Sequence, residues 1–341
     1  MNLNIPSPIN HGIALVGSGS ATPTQVITND QLGMRVETSD SWIRSRTGIS
    51  ERRVIGPHED LTSLASTAAL NAIRMASWEP ETIDLIILAT STPDDLFGTA
   101  TQVQGNLRAT NAVAFDLTAA CSGFLFALVT AAQYVRTGAM QRALIVGADQ
   151  LTKWVDWDDR KSCVLFGDGA GAVAIEATNP DIDGLIGFKL RSDGSRGNCL
   201  NLKKSNAFSD LVDGVVHQKG GFFPISMNGQ EVYKFAVREV PSLLDSLLKT
   251  VSIDPSNLDW LLLHQANQRI LDAVADRFSI PEEKVLSNLA SYGNTSAATI
   301  PLMLDEAVLD GRVKPGDLIA SSGFGAGLSW GAALFRWHGP I

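Results

Sequence analysis

The sequence predicts an α/β protein made of two halves related by a pseudo-twofold axis. Short apolar runs alternate with helix-patterned segments, this order of elements occurs twice, and each occurrence closes on a glycine-rich strand.

In the first half, Asp84-Leu-Ile-Ile-Leu-Ala is an apolar run of buried-strand length, and a helical segment near Gln102 to Arg108 follows. Ala114-Phe-Asp-Leu-Thr leads into Cys121. A helix of small residues then runs from Ser122 to about Thr137, Gly138 ends it, and Ala143-Leu-Ile-Val-Gly is the next strand. The second half repeats the series. Leu258-Asp-Trp-Leu-Leu-Leu is the strand, Gln268 to Phe278 the helix, and Val285-Leu-Ser-Asn-Leu leads to Gly293 and Asn294. A helix from about Thr295 to Leu309 closes at Gly311, and Asp317-Leu-Ile-Ala is the strand after it. The closing strands are Gly167-Asp-Gly-Ala-Gly-Ala-Val-Ala-Ile and Gly327-Leu-Ser-Trp-Gly-Ala-Ala-Leu-Phe.

Such alternation predicts mixed, largely parallel sheets covered by helices on both faces. The halves divide into residues 1–178 and 179–341. Duplication makes Cys121 and Asn294 near-equivalent, each at the N-terminal end of a central helix. The weakly patterned stretch from about Ser192 to Gly221 reads as a loop or cap over the second half.

The bulk properties exclude several classes of function. A chain of 341 residues with 45% hydrophobic and 18% charged residues builds a sizeable core. A net charge of −9 argues against a nucleic-acid binder, which needs a basic face. No run approaches the ~20 apolar residues of a membrane span. Met1 to Gly12 has neither a basic start nor an apolar signal core, which predicts a cytoplasmic protein. Cys121, Cys163 and Cys199 are odd in number and widely spaced, so neither a disulfide framework nor a metal site is expected.

Three side chains carry candidate chemistry. Cys121, between a strand and a helix in Thr-Ala-Ala-Cys-Ser-Gly-Phe, faces the positive end of a helix dipole, which favours thiolate over thiol. Cysteines also pack readily in cores, and position alone leaves both readings open. His264 ends an apolar strand, where α/β proteins place their sites, although a lone histidine is commonly a satisfied polar residue. Asn294, in Tyr-Gly-Asn-Thr-Ser, is by itself a turn or cap residue. Two glycine runs are decoys. Gly17-Ser-Gly lacks the third glycine of a dinucleotide fingerprint, and Gly323-Phe-Gly-Ala-Gly precedes a strand and has no phosphate-binding helix.

These segments resemble the thiolase-fold condensing enzymes, specifically the β-ketoacyl-[acyl-carrier-protein] synthase III family, over nearly the whole chain. The resemblance rests on Thr38-Ser-Asp-Ser-Trp42-Ile, Arg46-Thr-Gly-Ile, Ala119-Ala-Cys121-Ser-Gly-Phe, Phe166-Gly-Asp-Gly-Ala-Gly, His264-Gln-Ala-Asn-Gln-Arg269-Ile, Tyr292-Gly-Asn294-Thr-Ser and Gly323-Phe-Gly-Ala-Gly-Leu-Ser-Trp-Gly. It implies a layered αβαβα architecture. It further implies Cys121 as nucleophile with His264 and Asn294, and an oxyanion site at the backbone N–H groups of Cys121 and Ala326. Ala326 stands where many members have a further glycine.

Coenzyme A contacts are implied at Thr38, Trp42, Arg46, Arg160, Gly229 and Asn267, and carrier-protein contacts at Gln265, Ala266, Asn267, Gln268 and Arg269. The implied substrates are acetyl-CoA and malonyl-[acyl-carrier-protein], with no metal or redox cofactor, in a homodimer that initiates fatty-acid synthesis. A relative from secondary metabolism using another acyl-CoA starter is the nearest rival. A non-catalytic acyl-CoA or carrier-protein binding module and an NAD-dependent oxidoreductase are the rivals from other classes.

Overall fold

A computed structural model describes residues 10–340. The part of the N-terminal stretch before residue 10, read above for a signal core, lies outside the described residues. Among the described residues, no helix is long and apolar enough to cross a membrane.

Two sheets organise the chain. The first contains β1 (Gly12–Ala21), β2 (Leu85–Ala89), β3 (Val113–Leu117), β4 (Arg142–Asp149) and β5 (Gly169–Thr178), in the order β1-β5-β4-β2-β3. The second contains β6 (Leu185–Ser192), β7 (Trp260–Leu263), β8 (Leu318–Gly325) and β9 (Ser329–Arg336), in the order β7-β8-β9-β6. A single parallel bridge between Leu261 and Val285 stands where the first sheet has β3.

The sheets are mixed but not largely parallel, contrary to the sequence expectation. β2 pairs in parallel with β3 and β4, and β7 with β8. Each glycine-rich strand instead runs antiparallel to the strand before it. Between β8 and β9 only residues 326–328 intervene, too few for the crossover that a parallel pair requires.

The principal helices are α1 (Asp40–Thr47), α2 (Leu61–Met75), α3 (Ala100–Leu107), α4 (Gly123–Arg136), α5 (Gly229–Thr250), α6 (Gln268–Phe278) and α7 (Thr299–Leu309). α4 and α7 lie between the sheets, α2 covers the outer face of the first and α5 that of the second, which gives five αβαβα layers. The apolar runs show why. In β2, Leu85, Ile87 and Ala89 join the central core, while Ile86 and Leu88 join the core under α2. In β8, Ile319 faces the centre, and Leu318 and Ala320 face α5. Strands buried on both faces need continuous apolar sequence.

The decoy glycines have packing roles. A Cβ on Gly17 or Gly19 would meet the α2 carbonyls of Ala72 or Ala68 at 2.4 and 2.2 Å, so this pair lets the helix sit directly on β1. The stretch from Ser192 to Gly221 is more structured than predicted. Leu200–Asn201 pairs with Ser226–Met227, and Phe208–Val212 forms a hairpin with Val215–Gln218.

Candidate active site

Cys121 sits in a one-turn 3-10 helix, Ala120–Ser122, that opens α4. A matching turn, Ser296–Ala298, opens α7. Each begins on a non-glycine residue with left-handed backbone, Ala120 at φ 47° and Ser296 at φ 53°. That match aligns Cys121 with Ala297. Asn294 lies three residues before the pseudo-equivalent position, which corrects the near-equivalence read from the repeat.

Asn294 is positioned from its backbone. Its N–H donates to the Leu165 carbonyl at 2.8 Å, and its carbonyl accepts from Gly167 N–H at 3.0 Å. A Cβ on Gly167 would stand 2.2 Å from the Tyr292 carbonyl, so the Phe166-Gly motif is what lets the Asn294 segment approach. The Asn294 Oδ1 accepts the Ser296 N–H at 2.9 Å. This fixes the amide orientation and leaves Nδ2 as the free donor.

His264 extends β7 by one residue, donating its N–H to the Ser322 carbonyl at 2.8 Å. Its ring meets Phe324 edge to face with centroids 5.4 Å apart. Burial holds its pKa down at about 3, so the imidazole is neutral. Burial likewise pushes the Cys121 thiol up to about 12, against the lowering effect of the Ser296 hydroxyl, whose Oγ is 3.4 Å from the sulfur. The thiolate expected from the helix N-terminus is therefore not the resting form. Desolvation outweighs the dipole here. Both groups rest uncharged.

Two cavities meet at the sulfur. One, of about 480 Å³, is lined at its outer end by Trp42, Arg46, Arg160 and Arg269 and at its inner end by Cys121, His264, Asn294 and Phe324. The other, of about 610 Å³, is lined by Cys121, Ser296 and Ala326 and by apolar walls that include Leu151, Trp154 and Phe222. Phe166 borders both. A Cβ on Gly325 would lie 2.6 Å from the Cys121 nitrogen, so β8 reaches the Cys121 turn only because that residue is glycine. The backbone N–H groups of Cys121 and Ala326 donate to no other residue among those described.

The chain is similar to known proteins over nearly its whole length. Residues 115–194 match the family described as 3-Oxoacyl-[acyl-carrier-protein (ACP)] synthase III, and residues 248–337 match its C-terminal part. The β-ketoacyl-[acyl-carrier-protein] synthase III of Prochlorococcus marinus (strain MIT 9313) is 75% identical over 98% of this chain and 99% of that protein. The chain belongs to the β-ketoacyl-[acyl-carrier-protein] synthase III family. Members of this family are acyltransferases of the initiating condensation in fatty acid synthesis. The crystal structure of the Aquifex aeolicus VF5 3-oxoacyl-[acyl-carrier-protein] synthase III superposes with a TM-score of 0.86 at 41% identity, covering 96% of this chain and 100% of that one. The priming β-ketosynthase of the R1128 polyketide pathway gives 0.89 at 30% identity, covering 99% and 100%.

The residues assigned from the synthase III resemblance divide in three groups. Trp42, Arg46, Arg160, Gly229, Ala266, Asn267 and Arg269 all line the first cavity. The guanidiniums of Arg46 and Arg160 each lie 5.0 Å from the Trp42 ring centroid, so a base enters between Trp42 and Arg160 only if that arginine swings aside. Lys161 adds a further cation to the wall, and none of the four basic residues there forms an ion pair among the described residues. The mouth is locally cationic on an acidic protein.

A second group is nearby but does not line the cavity. Thr38 precedes α1 with its Oγ1 buried and unpartnered, and Gln268 bonds Asp272 along α6. Gln265 is a correction. It is fully buried, with Oε1 accepting from Ser287 and Asn288, so its side chain cannot meet a docking protein. The apolar cavity escaped sequence reasoning, because its walls come from many separate stretches of chain. Cys163, read as part of an apolar strand, lies instead in the turns at 159–165, buried and lining neither cavity.

Proposed function

We propose that the enzyme joins the acyl group of acetyl-CoA to malonyl-[acyl-carrier-protein] by decarboxylative condensation, through an acyl-Cys121 intermediate. The observation that carries this reading is the meeting of a cation-mouthed cavity and an apolar cavity at one sulfur. A thioester arm enters by the first, with its phosphates near Arg46, Arg160 and Arg269. The acyl group lodges in the second.

In the first half-reaction the Cys121 thiol attacks the thioester carbonyl. Its proton ends on the departing coenzyme A sulfur, so the half-reaction neither gains nor loses a proton. The free N–H groups of Cys121 and Ala326 hold the oxyanion. In the second, the malonyl thioester carbonyl takes hydrogen bonds from the His264 imidazole and from Asn294 Nδ2, which hold the enolate as carbon dioxide leaves. Phe324 supplies an apolar wall that disfavours the carboxylate. The enolate carbon attacks the acyl-cysteine, and the departing Cys121 thiolate takes up a proton to regain its resting thiol.

Arg269 and Gln268 offer the carrier protein an exposed edge beside the mouth. The open edge of β3, with Leu96 and Phe97 of the loop between β2 and α3 85% and 100% exposed, supports a homodimer paired along that edge. Three free cysteines suit a reducing, cytoplasmic setting. The division at residues 178 and 179 separates the strands of the two sheets.

Condensation with malonyl-[acyl-carrier-protein] across a panel of acyl-CoA starters tests the donor. Acetyl-CoA is expected to give the highest kcat/KM. A preference for longer or branched starters would favour the second reading, a secondary-metabolism synthase, which the size of the apolar cavity and the likeness to the R1128 enzyme support.

A further inference from the structure

We propose that Ser296 is a positioning residue for the nucleophile: its hydroxyl holds the Cys121 sulfur at the junction of the two cavities and donates to the thiolate as it forms. This rests on the reading of Cys121 as nucleophile. Ser296 is buried, its Oγ lies 3.4 Å from Sγ, and it lines the apolar cavity beside Cys121 and Ala326.

Its backbone is held in the left-handed region, at φ 53°, which residues with a Cβ avoid. Two contacts impose that conformation. Ser296 N–H donates to Asn294 Oδ1 at 2.9 Å, and Ala297 N–H donates to Asp149 Oδ2 at 3.3 Å. The repeat supplies an internal control. Ala120 adopts the same backbone at the same place in the other half and carries no hydroxyl. The turn therefore does not need one, and the hydroxyl of Ser296 faces both the Cys121 sulfur across the pseudo-twofold interface and the Asp149 carboxyl, which competes for it in the resting state.

The titratable groups facing this contact are Asp149 on β4 and His264 after β7. Asp149 is fully buried and accepts from Ser91 N–H at 2.7 Å, Thr92 Oγ1 at 3.0 Å and Thr90 Oγ1 at 3.2 Å, and burial pushes its carboxyl up against the lowering effect of the Ser296 hydroxyl and of those donors. His264 is neutral. Neither supplies a positive charge to the resting sulfur, so a hydroxyl donor is the near group that stabilises a developing thiolate.

The test compares wild type with Ser296→Ala and Ser296→Gly, the glycine variant relieving the left-handed backbone while removing the hydroxyl. The rate of Cys121 alkylation by iodoacetamide is followed against pH by intact mass, alongside single-turnover acetylation by acetyl-CoA. Both variants are expected to shift the alkylation profile upward by about one pH unit and to slow acetylation about tenfold. Wild-type profiles in both variants overturn the proposal, whether or not thermal stability changes. Wild type that takes no acetyl group on Cys121 overturns the underlying reading of the nucleophile instead, a result distinguishable from the first.

Discussion

Asn294 accepts the Ser296 N–H on Oδ1 at 2.9 Å, and this one bond decides which end of the amide faces the cavity. Asn294→Asp keeps the acceptor and replaces the Nδ2 donor by a carboxylate oxygen. Malonyl decarboxylation is expected to fall by about 10²–10³, the loss typical of one oxyanion donor, while acetyl transfer to the enzyme falls much less. Following carbon dioxide release and acetyl-enzyme formation separately checks this. Equal losses in both steps would mean that the donor does not act on the enolate.

His264 rests neutral, with burial holding its pKa at about 3 against an ordinary 6.5. The unfolded chain therefore binds a proton that the folded chain refuses as pH falls from 6.5 toward 3. Stability is unaffected by this group above pH 6.5 and is lost below it, by up to about 5 kcal/mol at the acid end. Denaturant midpoints measured across this range for wild type and His264→Gln are expected to converge toward low pH, with the shallower slope in the variant. Parallel curves would contradict a buried neutral imidazole.

Arg46 and Arg160 both lie on the Trp42 indole at the cavity mouth. Arg46→Ala and Arg160→Ala are each expected to raise KM for acetyl-CoA about 5- to 20-fold with little change in kcat. The effect should shrink between low and high salt, because exposed charges are screened. Steady-state kinetics at two ionic strengths reads both trends. A fall in kcat alone would place these residues elsewhere in the cycle.

Gly325 leaves no room for a Cβ beside the Cys121 nitrogen, at 2.6 Å, and Ala120 Cβ, at 3.0 Å. Gly325→Ala is expected to displace the nucleophile turn, costing about 1–3 kcal/mol of stability and at least about tenfold in kcat. Gly105→Ala in α3, where a Cβ meets nothing within 4 Å, is the matched control and should leave activity unchanged. Calorimetry with acylation rates separates the two effects.

Much of this was legible in the chain because it is written as pattern. α6 runs from Gln268 to Phe278 as predicted, since Asn267 caps it and Ser279 ends it in left-handed backbone. β2, β4, β7 and β8 were found by their apolar runs, which two-sided burial demands, whereas β6 (Leu185–Ser192), a half-exposed edge strand, was not. What escaped reading depends on backbone angles and on burial. Nothing in Ala120 or Ser296 announces a positive φ, so the repeat was aligned three residues away from its true register. The thiol state of Cys121 follows from desolvation, a property of the assembled cavity. The apolar cavity draws on residues 91–96, 151–154, 200–202 and 220–225, which no local spacing connects.

The central claim is that Cys121 carries the acyl group, and intact mass after incubation with acetyl-CoA tests it most directly. One acetyl increment is expected on the wild-type chain, mapped by peptide digestion to Cys121, removed on adding malonyl-[acyl-carrier-protein], and missing from Cys121→Ser. An adduct on another residue, or one that persists in Cys121→Ser, would contradict the account.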